Sequence, residues 1–438
     1  MEKQEIIKIL DDWNFWQKDL NTGIFRDVYV NKIESFIETG MIVAITGARR
    51  SGKSFIMRQA AKKLMEKGVE KNRILIVNLE DPRFTGLDLK FLDEIYETYL
   101  DYQKPKEKPY IFLDEIQEVK NWEKWPLMIK ELEKAYIAVS GSNAHLLSKE
   151  LATLLTGRRL DVEIFPLSFA EFLNFNDLQI DKNNISYQEE KIKKMLGYYS
   201  ENGGFPEIAF KENKKEFLVS YFNDLLKKDL FGRHNIRKTE KFKSLVKFYL
   251  SNITSPITFN SLGKTFEISD ETIEKFSGYL EEIYLTIFLK RFSVKVKNQE
   301  KSPRKVYALD TGLSNAVGFR FSENLGILDE NLVFIELLRR KNFDLNLEIY
   351  YWKDAYGKEV DFVVKNNLEI KELIQVCHNC NDEKTKKREV SALLKAMEEL
   401  KINNGTIITN GKKDQENEEK IGDKIIKYKP LWKWLLKV

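Results

Sequence analysis

Cysteine is almost missing from this chain, with two residues in 438. That count argues against a disulfide framework and for a reducing compartment. An excess of one charge is missing too: 72 Lys and Arg stand against 68 Asp and Glu, a net of +4. The chain is no global polycation, so any nucleic-acid surface has to come from local patches. No apolar run approaches the roughly 20 residues of a membrane span, and Met1-Glu2-Lys3-Gln4-Glu5 opens no signal-peptide pattern. No membrane association is expected, and the cytoplasm is the default location. What is present, 42% hydrophobic and 32% charged residues, is the make-up of a soluble globular protein. The length exceeds one core and predicts two to four domains.

The most specific stretch is Gly47-Ala48-Arg49-Arg50-Ser51-Gly52-Lys53-Ser54. It follows the apolar run Met41-Ile42-Val43-Ala44-Ile45-Thr46 and precedes Phe55-Ile56-Met57-Arg58-Gln59-Ala60-Ala61, which reads as a helix. This is G-x-x-x-x-G-K-[ST] in its strand-loop-helix setting. The glycines let successive N–H groups converge on a phosphate, and the helix start adds partial positive charge. At ordinary glycine usage a chance match in such a length is about one in a hundred. Gly47 to Ser54 and Phe55 are therefore the expected nucleotide-binding residues, with Lys53 reaching the β- and γ-phosphates.

Between 41 and about 166, near-continuous apolar strands alternate with helices, which predicts a parallel sheet covered on both faces. Ligands of such sheets sit at the carboxyl ends of strands. There Tyr110-Ile111-Phe112-Leu113-Asp114-Glu115 ends in two carboxylates. In phosphoryl transfer to water, Asp114 and Ser54 are the expected Mg²⁺ ligands and Glu115 the general base. Ser142, with Asn143 beside it, is a candidate for the γ-phosphate or its water. Arg158, in Thr156-Gly157-Arg158-Arg159, is the candidate finger acting on a neighbouring copy.

Ile42 to Phe172 resembles the AAA+ branch of P-loop ATPases. More narrowly, the chain is similar to archaeal and bacterial ATPases whose AAA-type module is joined to a winged helix and a restriction-nuclease-like domain. The resemblance rests on the phosphate loop, Phe112-Leu113-Asp114-Glu115-Ile116-Gln117, Gly141-Ser142, Gly157-Arg158-Arg159, Pro166-Leu167-Ser168-Phe169-x-Glu171-Phe172 and Gly203-Gly204-Phe205-Pro206-Glu207. It implies ATP, strand order 5-1-4-3-2, and homo-oligomers in which an Arg serves a neighbour's ATP.

The expected fold class is therefore α/β: a P-loop AAA+-type parallel sheet with a helical lid, a winged helix and a C-terminal α/β restriction-endonuclease-like domain. The expected parts are an N-terminal helical segment at 1–40, the ATPase core at 41–170 and a lid at 171–238. The winged-helix region follows at 239–315 and the last domain at 325–438. Arg233 and Arg237 are lid candidates for sensing nucleotide. The would-be recognition helix carries Asp270, Glu271, Glu274, Glu281 and Glu282 against Lys275 alone, a face that repels phosphates. The wing is basic, with Lys290, Arg291, Lys295, Lys297, Lys301, Arg304 and Lys305 against Glu300, and is the candidate contact for DNA or RNA.

The last domain resembles nucleases whose site is Asp, then Glu/Gln-x-Lys on the next strand. Asp361 and Gln375 fit, Glu336 is the candidate helical acid, and Cys377 stands at the lysine position, with Lys386 or Lys387 as substitutes. The lost lysine argues against cleavage. A single C-x-x-C, Cys377-His378-Asn379-Cys380, without a second pair predicts no structural zinc. Pro430 to Leu436 is expected to pack on this domain. The leading expectation is a Mg²⁺-dependent ATPase coupled to nucleic-acid binding or remodelling. The alternatives are a nucleotide-gated signalling or scaffold ATPase with a protein partner, and an ATP-dependent nuclease.

Overall fold

Parallel strands with apolar residues on both faces need helices on both sides, and the first part of the chain builds that layering. The computed structural model describes residues 1–141, 155, 157–181, 185–319, 325–411 and 415–438. The chain divides into two compact units, Met1–Phe165 and Pro166–Val438.

In the first unit, helices α1 (Lys3–Trp13) and α2 (Asp27–Ile37) precede β1 (Ile42–Gly47). Then follow α3 (Lys53–Glu66), β2 (Ile74–Asn78), α4 (Leu89–Gln103), β3 (Tyr110–Asp114), α5 (Lys124–Glu131), β4 (Tyr136–Ser140) and β5 (Arg159–Ile164). The sheet order is β2-β3-β4-β1-β5 and every pairing is parallel, the order the resemblance implied. Ile42 and Ala44 of β1 face a core filled by α1, α4 and α5. Val43 and Ile45, alternating with them, face a core filled by α2 and α3. The period of two along a strand thus splits one apolar run between two helical layers.

The second unit opens with helices Phe169–Phe175, Ile185–Asn202 and Lys214–Asp224. The Gly203-Gly204 turn is fixed by Asp310, whose Oδ2 accepts the Gly204 N–H at 2.7 Å. Gly203 has φ +80°, and a Cβ there would lie 2.0 Å from Asp310 Oδ1, so only glycine fits. Arg339 donates to the carbonyls of Pro166 and Leu167 at 3.2 and 3.0 Å. The Pro166-Leu167 and Gly203-Gly204 motifs are therefore packing devices of this unit.

Helices Thr239–Ser251, Phe259–Phe266 and Asp270–Glu282 follow, with a sheet of β6 (Pro256–Ile257), β7 (Thr286–Leu289) and β8 (Arg304–Ala308) in the order β6-β8-β7. The helix Leu325–Phe343 leads to β9 (Leu347–Lys353), β10 (Glu359–Asn366) and β11 (Glu369–Cys377). After the helix Glu383–Glu399 come β12 (Asn404–Thr409), β13 (Asn417–Ile421) and β14 (Lys424–Pro430). The six strands order β13-β14-β12-β11-β10-β9, with β11/β12 and β12/β14 parallel and the rest antiparallel. Beyond β7, Phe292 N–H donates to Tyr351 O at 2.6 Å and Tyr351 N–H to Lys290 O at 3.1 Å. The small sheet is thus stitched to β9. The last helix, Leu431–Leu436, buries Leu431, Trp432, Trp434 and Leu435, and no helix among the described residues is long and apolar enough to cross a membrane.

Candidate nucleotide site

The phosphate loop leaves β1 through Gly47, at φ +137°, where a Cβ would come within 2.2 Å of Ile164 O on the neighbouring strand. Gly52, at φ +98°, starts α3 in the left-handed region. Two glycines thus let the chain wrap the helix start. Lys53 Nζ donates to the carbonyls of Gly47 and Ala48 at 3.1 and 3.2 Å. The Ser51 hydroxyl is buried and has no hydrogen-bond partner among the described residues.

Asp114 ends β3 beside this loop. It accepts hydrogen bonds from the hydroxyls of Ser54 and Ser140. Burial, and then the adjacent Glu115 charge, push its pKa up, against the pull of the hydroxyls and Lys53. Glu115 is buried in the left-handed region at φ +55°, its N–H donating to Ser140 Oγ at 3.1 Å and its carboxylate accepting from Gln117 Nε2. Arg49 pairs with Glu80. Burial raises the pKa of Glu80 first, with Arg49 opposing and Glu115, Glu118 and Asp114 adding to the rise. Phe55 is 40% exposed, with the Arg58 guanidinium 5.3 Å from its ring and 5.3 Å from that of Trp13. Two carboxylates, two hydroxyls, a lysine and a helix N-terminus therefore meet at the carboxyl ends of β1, β3 and β4.

Residues 39–173 match the AAA domain family. Residues 193–327 match "Domain of unknown function (DUF8612)" and 325–433 match "Domain of unknown function (DUF4143)". The chain is 35% identical over 427 residues to "Uncharacterized protein MJ1544" of Methanocaldococcus jannaschii, covering 94% of this chain and 91% of that one. A Haemophilus influenzae protein is 30% identical over 356 residues, covering 79% of this chain and 85% of its own length. The chain belongs to the family of these two proteins. Its first unit carries the AAA domain, with the P-loop fold of that class. Among solved structures, "the walker-type atpase paby2304" of Pyrococcus abyssi is similar with 13% identity and TM-score 0.43, covering 70% of this chain and 99% of that one. The Orc1 protein of Aeropyrum pernix in complex with DNA is similar with 12% identity and TM-score 0.28, over 72% of this chain and 96% of its own.

Within the AAA domain, Ser142, Asn143 and Thr156 lie outside the described residues. Ser140, two positions earlier, is the hydroxyl that meets Asp114. Its sequence signal was a polar residue ending an apolar strand level with Asp114, since Leu113 pairs with Val139. Arg26 carried no such signal. It is buried, and it donates to Ser51 O at 2.9 Å and Phe165 O at 3.0 Å. Its N–H donates to Gln59 Oε1 at 3.1 Å, and Gln59 Nε2 donates to Thr22 O and Ile24 O at 2.7 and 2.8 Å. The segment before α2 is thereby tied to both the loop and α3. Arg158 does not join this chain's own site. It sits before β5, whose first residue pairs with Ile42 at the start of β1, roughly 16 Å from the strand's carboxyl end at ~3.3 Å per residue. There it donates to Glu131 Oε1 at 2.9 Å.

The second unit corrects several expectations. Glu336 is not the acid beside Asp361: it pairs with Arg339 at 3.6 Å, Arg340 at 3.3 Å and Lys437 at 3.7 Å. Six residues along a helix is a turn and two thirds, and the acid reaching the Asp361 centre is Glu330. Lys386 pairs with Glu419 and Lys387 with Glu383, and the lysine that meets Asp361 is Lys305. Cys377 and Cys380 form one local disulfide, a pairing the low cysteine count did not anticipate. Of the seven cations expected to form a basic wing, Lys290 and Arg304 pair with Glu300, Arg291 donates to Lys353 O and Lys305 is buried. Lys295, Lys297 and Lys301 remain exposed. Arg233 pairs with Asp229 at 3.4 Å.

Proposed function

We propose that the chain is a Mg²⁺-dependent ATPase whose hydrolytic centre is Lys53, Ser54, Asp114 and Glu115. The observation carrying this reading is the convergence of Ser54, Ser140 and Glu115 on Asp114 beside a glycine-built loop. The donor set suits a nucleotide with a hard cation. The Gly47 position leaves no room for a Cβ, the Ser51 hydroxyl is unsatisfied among the described residues, and Ser54 and Asp114 offer oxygen ligands. When bound, Mg²⁺ would neutralise charge on the β- and γ-phosphates. Lys53, swinging from its own loop's carbonyls, contributes a point charge to the same oxygens. The loop N–H groups of residues 48–54 orient the phosphates. Glu115, held by Gln117, takes a proton from the attacking water. Arg158, at the opposite strand ends, serves a second copy in an oligomer. Phosphate release with Mg²⁺ and ATP, lost in Lys53→Ala and Glu115→Gln, tests the reading. No Mg²⁺-dependent release by the wild type overturns it.

The cycle is proposed to act on nucleic acid through the exposed wing lysines Lys295, Lys297 and Lys301. Three phosphate contacts give a salt slope of about −3 for duplex DNA, and Lys→Glu changes at these positions abolish binding. The engagement of the other four wing cations favours a second reading, in which the partner is a protein. Binding only to protein, unmoved by the charge reversals and with no salt-dependent binding to DNA or RNA, decides for that reading.

A further inference from the structure

The Asp361 centre forms the floor of a cleft of about 710 Å³ lined by Lys305, Glu330, Asp361, Gln375 and Arg388 among others. The nuclease-like resemblance implies a divalent cation here, held by Asp361 and its neighbours. The residues present do not fit one. Lys305, on β8, is 2% exposed. Its Nζ lies 2.7 Å from Glu359 Oε1, 2.9 Å from Glu330 Oε1 and 3.0 Å from Asp361 Oδ1. An ammonium has three protons, and three carboxylates from two elements take them. The second oxygen of Asp361 accepts the Val376 N–H at 2.9 Å. Gln375 is committed at both ends, accepting from Asp361 N–H at 3.2 Å and donating to Glu389 Oε2 at 2.7 Å. Tyr307 OH donates to Glu330 Oε1 at 2.7 Å. A metal reaching these oxygens would stand against the ammonium itself, like charge on like.

We propose that Lys305 is the resident cation of this centre, an internal ammonium in place of a divalent metal, which clamps β8 to the last domain and keeps metal out while β8 stays docked. Three acids from β10 and the helix Leu325–Phe343 converge on one point, and the lysine reaching it comes from the small sheet. The clamp therefore spans two segments that the stitching at Phe292 and Tyr351 also joins. Withdrawal of β8 would uncover three convergent carboxylate oxygens, the ligand class of a hard divalent ion. Wing position and metal occupancy are then mutually exclusive.

The test uses the full chain without nucleotide, with Mn²⁺ as the titrant and Fe²⁺ with ascorbate and peroxide as a local backbone cutter. Wild type is expected to show no cuts near Asp361 or Gln375. Lys305→Met is expected to melt earlier, to gain one Mn²⁺ per chain, to be cut in both segments, and to recover part of its lost Tm with millimolar Mn²⁺. Adding Asp361→Asn should remove that site, and Lys305→Arg, which keeps the charge, should not acquire it. The location of the cuts separates this centre from the phosphate loop. Cuts at Asp361 in wild type, or a folded Lys305→Met with no added Mn²⁺ site, overturn the proposal. Should Lys305→Met not fold, wild type and Lys305→Arg carry the test: cuts at Asp361 in either overturn it, and uncut chains that melt later than Asp361→Asn sustain it.

Discussion

Each unit of this chain places a lysine near a cluster of acids, and the two clusters are wired in opposite ways. In the first unit Lys53 donates to backbone carbonyls of its own loop, and the donors at Asp114 are the hydroxyls of Ser54 and Ser140. Hydroxyls rotate and also offer lone pairs, so this centre can exchange an internal hydrogen bond for a cation. In the second unit the lysine donates straight to Glu330, Glu359 and Asp361, and a buried ammonium has no lone pair to give. The difference lies in the backbone that carries each lysine. Lys53 heads a helix at the open end of a sheet, whereas Lys305 is a strand residue in a packed interior. Acids alone do not make a metal centre; their donors decide.

The largest expected effect is on turnover, and it separates the centres directly. Glu115→Gln should lower Mg²⁺-dependent ATP hydrolysis by about 10²–10⁴-fold, the range for loss of a general base. Asp361→Asn, whose partners are Lys305, Gln375 and Val376, should leave it within about twofold. Comparable losses in both variants would break the comparison.

Stability should reverse that ranking. Asp361→Ala leaves Lys305 short of one of its three carboxylates, and breaking a buried ion cluster costs about 3 kcal/mol. Asp114 is a buried acid whose charged form is disfavoured by burial and by Glu115. Asp114→Asn should therefore hold or raise Tm while abolishing turnover, the exchange between stability and function found at active sites. Thermal melts of the two variants side by side check both signs.

The pH dependence sharpens the contrast further. The pKa of Glu330 is pushed up to about 7, by burial first and then by the Asp361 charge, with Lys305 opposing. Between the ordinary carboxylate value of 4.5 and about 7, the unfolded chain has released this proton while the folded chain keeps it. Stability therefore falls as pH rises through that window, and it is regained as pH falls. Glu330→Gln should flatten this part of the Tm–pH curve; an unchanged slope would place the titration elsewhere.

What the sequence made legible follows the same divide. The loop, Asp114 and Glu115 were readable because each lies in one contiguous stretch, where strand period and glycine placement fix the geometry. The strand order came with the resemblance, since periodicity carries no information on which strands are neighbours. Ser140, Arg26 and Lys305 act across 26, 25 and 56 residues of sequence, and no local spacing ties them to those partners. Glu330 had no signal to mark it, because a helix whose buried residues include Leu328, Leu332 and Phe334 as well as Asp329 and Glu336 has no polar face to fix its phase. Cys377 was read against the resemblance as standing at a lysine position, whereas the lysine at Asp361 comes from another sheet.

The smallest expected effect concerns Arg158, and it depends on whether a second copy is present. Its ion pair with Glu131 joins side chains 47% and 53% exposed, and such pairs contribute about 0–1 kcal/mol. Arg158→Ala should therefore shift Tm by no more than about a degree or two, with Lys130 still 3.9 Å from Glu131 Oε1. At the far end of β5 it cannot reach the phosphate loop of its own chain, so dilute, monomeric protein should hydrolyse ATP equally well with or without it. If the residue serves a neighbour, wild-type turnover per chain rises with protein concentration, and the variant's does not. Mixing Arg158→Ala with Glu115→Gln then restores activity, because the variant with an intact base receives its arginine from the other. Equal activity of wild type and Arg158→Ala at every concentration would make the residue a surface ion pair and nothing more.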